Sequence, residues 1–135
     1  MAFPENPDSP VWYAKALSVT LVTEGKHEGL WRVNGPWSMT WRGRWVEVHD
    51  GFVTDGPSTP RWVRWLIPVR GRQWEASVAH DYLYWHQPAK WTRRLADRLL
   101  LDGLIASRVN PVRAWLMYLG ARIGGWVKWY DRRKA

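Results

Sequence analysis

The hydropathy of this chain changes period partway along, and that change limits the fold more than any other feature. Apolar and polar residues alternate from Leu17 to Thr23, and again over Leu30 to Val33, Trp37 to Trp41 and Arg44 to Val48. From Glu75 onward apolar residues instead return at three- and four-residue spacing. Strand side chains alternate between two faces, whereas helical ones come back to the same face every 3.6 residues or so. Strands first and helices after make an α+β fold. Turns are marked at Glu24 to Lys26, Asn34 to Pro36 and Arg42 to Arg44, so an antiparallel meander is the simplest arrangement of the first half.

At 135 residues with 46% hydrophobic content, the chain suits one domain with a core of its own. It divides into an extended lead (1–16), strands (17–50), a motif loop (51–60) and a mainly helical part (61–135). The loop from Gly51 to Pro60 is rich in residues that permit tight turns. A short helix is expected from Pro60 to Leu66, then one over Glu75 to Trp85 with Ala76, Ala79 and Leu83 inward. Another is expected over Trp91 to Arg108, with Leu95, Leu99, Leu100, Leu104 and Ile105 mostly inward. The last opens at Asn110 as cap, with Pro111 in its first turn, and runs to about Tyr130. Val112, Trp115, Leu116, Leu119, Ile123, Trp126 and Val127 form one broad face of it. Gly120, Gly124 and Gly125 weaken that helix, which points to close packing or a kink.

No cysteine is present, so any metal would need oxygen or imidazole ligands. Met1 to Pro10 carries Glu5, Asp8 and three prolines where a signal peptide needs basic and apolar residues. Trp115 to Trp129 is apolar in tone, but Arg122 and Lys128 interrupt it and it falls short of the ~20 residues that span a bilayer. A soluble or peripheral protein is expected. A net charge of +8 and thirteen Trp suit a phosphate-rich partner, either an anionic phospholipid membrane surface or nucleic acid. Arg42, Arg44, Arg61, Arg64, Arg70 and Arg72 are interleaved with Trp, yet they match no nucleic-acid recognition motif.

The chemistry-bearing residues gather on the helix after the loop. His80 and Tyr84 are one turn apart, and Asp81 lies within reach of Tyr84. Asp97 sits on an apolar flank of the following helix, where an ionised group needs a partner. If the two helices pack antiparallel, Asp97 meets His80 and accepts a hydrogen bond from one ring nitrogen. The other nitrogen is then able to take a proton from water. Asp81 would supply oxygen to a hard cation such as Ca²⁺, with loop carbonyls beside it. The same residues also suit a purely structural cluster, with His80 bonded to a carbonyl, Asp81 to an arginine, and Asp97 in a surface ion pair with Arg93 or Arg94.

Thr54 to Arg61, Ala79 to Tyr84 and Arg94 to Arg98, in that order, resemble a family of small domains of unknown function found in bacteriophages and prophages. That likeness covers about Val46 to Gly125. It implies a phage or prophage origin, with the host cytoplasm or the virion as location and virion proteins among the partners. His80, Asp81, Tyr84 and Asp97 also fit the motif of the phospholipase A2 superfamily, most closely the cysteine-free domain of parvovirus capsids. The Gly56-Pro57 and Ala96-Asp97 pairs add to that similarity. It implies His80 as base, Tyr84 and Asp97 as its supporting hydrogen-bond shell, and Asp81 as calcium ligand with Asp55 and Gly56 of the loop. Ser58 and Trp85 are the expected substrate contacts. The loop departs from the secreted enzymes, having only Gly51 and Gly56 and lying farther upstream of the histidine. A different metal-dependent hydrolase and a noncatalytic virion or host-interaction component are the alternatives.

Overall fold

The structure, a computed structural model, describes residues 9–54 and 74–133. Most of the motif loop, from Asp55 on, and the short helix expected after Pro60 lie outside the described residues. Among the described residues six strands come first: β1 (Val11–Tyr13), β2 (Val19–Leu21), β3 (Trp31–Val33), β4 (Trp37–Trp41), β5 (Arg44–Val48) and β6 (Val53–Thr54). Three helices follow among the described residues: α1 (Trp74–His86), α2 (Arg93–Ala106) and α3 (Pro111–Arg133). The chain is α+β, strands before helices.

The strands do not form one meander. They make two antiparallel sheets, in the orders β1-β4-β5 and β2-β3-β6. Pairing explains the split: β2 occupies one edge of β3 and β6 the other, so β4 has no edge left to join. It pairs instead with β1, which lies inside the stretch expected to be an extended lead. The β4–β5 hairpin turns on Arg42 and Gly43, both with positive φ (49° and 80°), the geometry that matches strand twist in a two-residue loop. Its alternation gives the core its first layer. Trp37, Met39 and Trp41 of β4 and Val46 and Val48 of β5 are buried, whereas Trp45 is exposed.

Helix α1 lies on this layer through Val78, Ala79, Tyr82 and Leu83. Its other side meets α2, where a methyl group at Gly103 would come within 2.7 Å of the Ala76 Cβ, so glycine allows the two backbones to close up. Helix α2 is capped by Thr92, whose hydroxyl accepts from the Leu95 amide. Leu99, Leu100 and Leu104 are buried as expected, but Ile105 is exposed. Polar ties bind α2 and its cap to the first sheet: Trp41 Nε1 donates to Asp102 at 2.8 Å, and the Tyr13 hydroxyl donates to the Gly103 carbonyl at 3.3 Å and lies 3.0 Å from the Ser107 hydroxyl.

Helix α3 is capped by Asn110, whose Oδ1 accepts from the Val112 amide at 2.9 Å, with Pro111 in the first turn. Its broad apolar face is turned outward. Val112, Trp115, Leu116, Leu119, Ile123, Trp126 and Val127 are all exposed. Its inward side combines Ala114 and Ala121 with Met117 and Tyr118, while Gly125 lies tight against the Tyr84 ring and Trp129 closes the far end. The small residues let α3 approach its neighbours closely.

Candidate functional site

The α1 sequence sets Ser77, His80, Asp81 and Tyr84 on one side of a single helix, because residues three and four apart overlie one another. Docking of α2 brings Asp97 against that side. Asp97 has no solvent exposure, and its two oxygens serve different helices. Oδ1 lies 2.7 Å from His80 Nε2 and accepts from the Tyr84 hydroxyl at 2.5 Å, both on α1. Oδ2 accepts from Arg122 Nη1 of α3 at 2.8 Å and, more distantly, from Arg93 Nη1 at 3.4 Å. Arg93 also donates to the Ala121 and Arg122 carbonyls, at 3.1 and 3.2 Å, which pins the start of α2 to the middle of α3. The expectation of a surface ion pair at Asp97 is therefore corrected: Arg93 is a partner, but the carboxylate is fully enclosed and Arg122 is the shorter contact.

The electrostatics follow from this enclosure. Burial alone pushes a carboxyl group up, but the interactions with His80 and the hydrogen bonds from Tyr84 and Arg122 outweigh it and hold Asp97 below its ordinary range. Tyr84 moves the other way, raised first by burial and then by the bond to Asp97, against the opposing pull of Arg93. It therefore remains a hydroxyl donor throughout the neutral range. An ionised carboxylate can only accept, so Nε2 of a neutral His80 ring carries the hydrogen and Nδ1 the lone pair. Among the described residues Nδ1 makes no hydrogen bond, and the ring keeps 16% of its side-chain surface open. The His80 and Tyr84 rings lie against each other, with centroids 4.4 Å apart.

His80, Tyr84 and Asp97 are thus brought together. Asp81 is half-buried on the adjoining side of α1. Trp85 is exposed, and its position five residues on puts it about 140° around the helix from His80, away from the cluster. The remaining expected site residues, Asp55, Gly56 and Ser58, lie outside the described residues. Arg122 and Ser77 are additions. Arg122 stands 25 residues beyond Asp97, and no local pattern announces it. Ser77 is buried one turn before His80, and its hydroxyl has no hydrogen-bond partner among the described residues. The sequence signal for it was a lone hydroxyl in the apolar run Ala76 to Ala79.

Residues 31–121 match the DUF1353 family, described as a protein of unknown function. The chain belongs to the DUF1353 family. No curated protein and no solved structure matches it. The DUF1353 match takes in β3 to β6, the whole of α1 and α2 and the first half of α3. His80, Tyr84, Arg93 and Asp97 fall inside it, whereas Arg122 is one residue beyond its end.

Among the described residues of this DUF1353 protein, no three His, Cys, Asp or Glu side chains are grouped so that they could hold a metal ion. Asp81 alone does not make a calcium site. Nor is any described helix long and apolar enough to cross a membrane.

Proposed function

We propose that this DUF1353 protein is a lipid-ester hydrolase of phospholipase A2 type, encoded by a phage or prophage, with His80 as general base. The observation that carries the reading is the 2.7 Å bond between His80 Nε2 and the enclosed, ionised Asp97. It fixes the ring so that Nδ1 is the nitrogen left to accept a proton. Tyr84 shares Oδ1 with His80, and the two arginines hold Oδ2, so the carboxylate is held at both oxygens beside the imidazole.

In the proposed reaction Nδ1 takes a proton from water as the water oxygen bonds to the ester carbonyl carbon. The tetrahedral intermediate then expels the alcohol oxygen, which recovers that proton from the imidazolium. The products are a fatty acid and a lysolipid. Lipid is favoured as the substrate class because an anionic membrane surface attracts each nearby Lys or Arg by ~1 kcal/mol, and this chain carries +8. Calcium would polarise the carbonyl oxygen, but the described residues supply only Asp81 toward it, so no step is routed through a cation.

The test is fatty-acid release from anionic phospholipid vesicles in calcium-containing buffer, with His80→Gln alongside. Wild type should release fatty acid and the variant should lose at least about a hundredfold, the usual contribution of a general base. Equal release from both proteins, or none from wild type, sinks the reading.

A further inference from the structure

We infer that the outer face of the first sheet is a platform for a neutral glycan, an extended chain of β-1,4-linked hexopyranose units. Strand alternation decides which residues that face shows. The buried residues of β1, β4 and β5 alternate with Trp12, Ser38, Thr40, Trp45 and Glu47, which therefore point away from the core. The register sets Trp12, Thr40 and Trp45 in one row across the three strands, with Ser38 and Glu47 paired in the next row. Neighbouring strands lie ~4.8 Å apart, so two tryptophans two strands apart are separated by about 9–10 Å. Trp45 is 59% exposed, and Trp12, half-buried, packs against neither core cluster among the described residues.

The charge of this face separates it from the basic character of the chain as a whole. Arg42 and Arg44 flank the hairpin turn, yet both are drawn to the opposite side. Arg42 lies 3.2 Å from Asp102 with its guanidinium over the Trp41 ring, and Arg44 donates to the Lys90 carbonyl at 3.2 Å with its guanidinium over Trp91. Among the outward strand residues Glu47 is the only charged one. A phosphate-rich partner would meet a carboxylate there and no cation. A pyranose ring offers the matching chemistry, because its C–H groups stack on the negative face of an indole while its rim carries hydroxyls. The Thr40 hydroxyl, between the two tryptophans, can donate and accept; Ser38 can do the same in the next row, and Glu47 accepts. None of these three side chains makes a hydrogen bond among the described residues. In an extended β-1,4 chain alternate sugars present the same face, and their separation is close to that of the two tryptophans. Each would stack on its own ring, with the sugar between them over Thr40. No residue of the Asp97 cluster stands on this face, so the inference goes beyond the hydrolase reading.

The experiment is isothermal titration of the full chain with cellohexaose, with the β-1,4-linked hexamer of N-acetylglucosamine and with maltohexaose, whose α-1,4 links curve the chain. The proteins are wild type, Trp45→Ala, Trp45→Tyr, Trp126→Ala and His80→Gln. Trp45 is exposed enough for its replacement to leave the fold intact, which an unchanged melting temperature verifies. Wild type should bind at least one of the β-linked hexamers more tightly than maltohexaose, and Trp45→Ala should bind it at least about tenfold more weakly, as expected for the loss of an aromatic anchor. Trp45→Tyr keeps a ring and should recover most of that loss. Trp126→Ala, which removes an exposed indole of α3, and His80→Gln should both match wild type. No binding of either β-linked hexamer at millimolar concentration, binding that survives Trp45→Ala, or a preference for maltohexaose overturns the assignment. Binding lost in His80→Gln overturns it in favour of a sugar held at the Asp97 cluster. Binding of a proline-rich peptide that depends on Trp45, with no glycan bound, overturns it in favour of a protein partner, and a dimer that Trp45→Ala converts to monomer overturns it in favour of a second copy.

Discussion

Asp97→Asn keeps the shape of the enclosed side chain but replaces an acceptor-only group with an amide. The amide oxygen can stay with His80 and Tyr84. Its NH₂ must then face Arg122 and Arg93, donor against donor. A charge-assisted hydrogen bond such as the 2.8 Å contact with Arg122 contributes about 1.5–3 kcal/mol, and the 3.4 Å contact with Arg93 adds less than about 1. Arg122 keeps 30% of its side chain exposed, so it regains some water when its partner is lost. The expected cost of Asp97→Asn is therefore about 2–3 kcal/mol, below the 3–5 of stranding a fully buried charge. Urea unfolding near neutral pH of wild type, Asp97→Asn, Arg122→Gln and the double variant measures it, with the m-value unchanged. The cycle should return a coupling of about 1–2 kcal/mol between positions 97 and 122. A coupling below about 0.5 kcal/mol would refute the reasoning, because the carboxylate would then not depend on α3 for its charge balance.

Three further outcomes are expected. Gly125→Ala puts a methyl group 2.6 Å from the Tyr84 hydroxyl and should destabilise by about 1–3 kcal/mol, whereas Gly124→Ala, in open space, should stabilise by about 1 kcal/mol; paired thermal melts compare them, and equal effects would contradict the close approach. Asp97 titrates below its ordinary value, so its contribution is complete above the unfolded carboxyl value of about 4 and is lost as pH falls from there through the lower folded value; the stability gap between wild type and Asp97→Asn should hold from neutral pH down to about 4 and shrink below it, and a gap that shrinks as pH rises would reverse the sign. Ser77→Ala removes a buried hydroxyl without a partner among the described residues and should leave unfolding free energy unchanged or raise it by up to about 1 kcal/mol; a loss of that size would reveal a bond to the hydroxyl.

Local chemistry made some of this readable in advance. The β4–β5 hairpin shows itself in its alternation around Arg42-Gly43, and α3 in its Asn-Pro opening, because each depends on adjacent residues. The His80–Asp97 meeting was reachable as well, since helical spacing fixes which side of α1 carries His80 and an enclosed carboxylate needs a partner. The two-sheet split was not, because nothing in the sequence tells β4 that β6 occupies the edge of β3. For α3, periodicity delivered the stripe but not the side it turns to. A helical period says which residues share a face, and only the space between helices, set here by Ala114, Ala121 and Gly125, decides which face turns inward.

One carboxylate answering to three helices also has a consequence for how the chain assembles. His80 and Tyr84 arrive on α1, Asp97 and Arg93 on α2, and Arg122 only with α3. A nascent chain that has emerged no further than Asn110 can pair α1 with α2, yet it must keep the Asp97 oxygen that awaits Arg122 in water. The pair can therefore close fully only after the last helix has been made. Completion of the cluster comes late in biogenesis, and a chain truncated before α3 would lack the closed site as well as the missing helix.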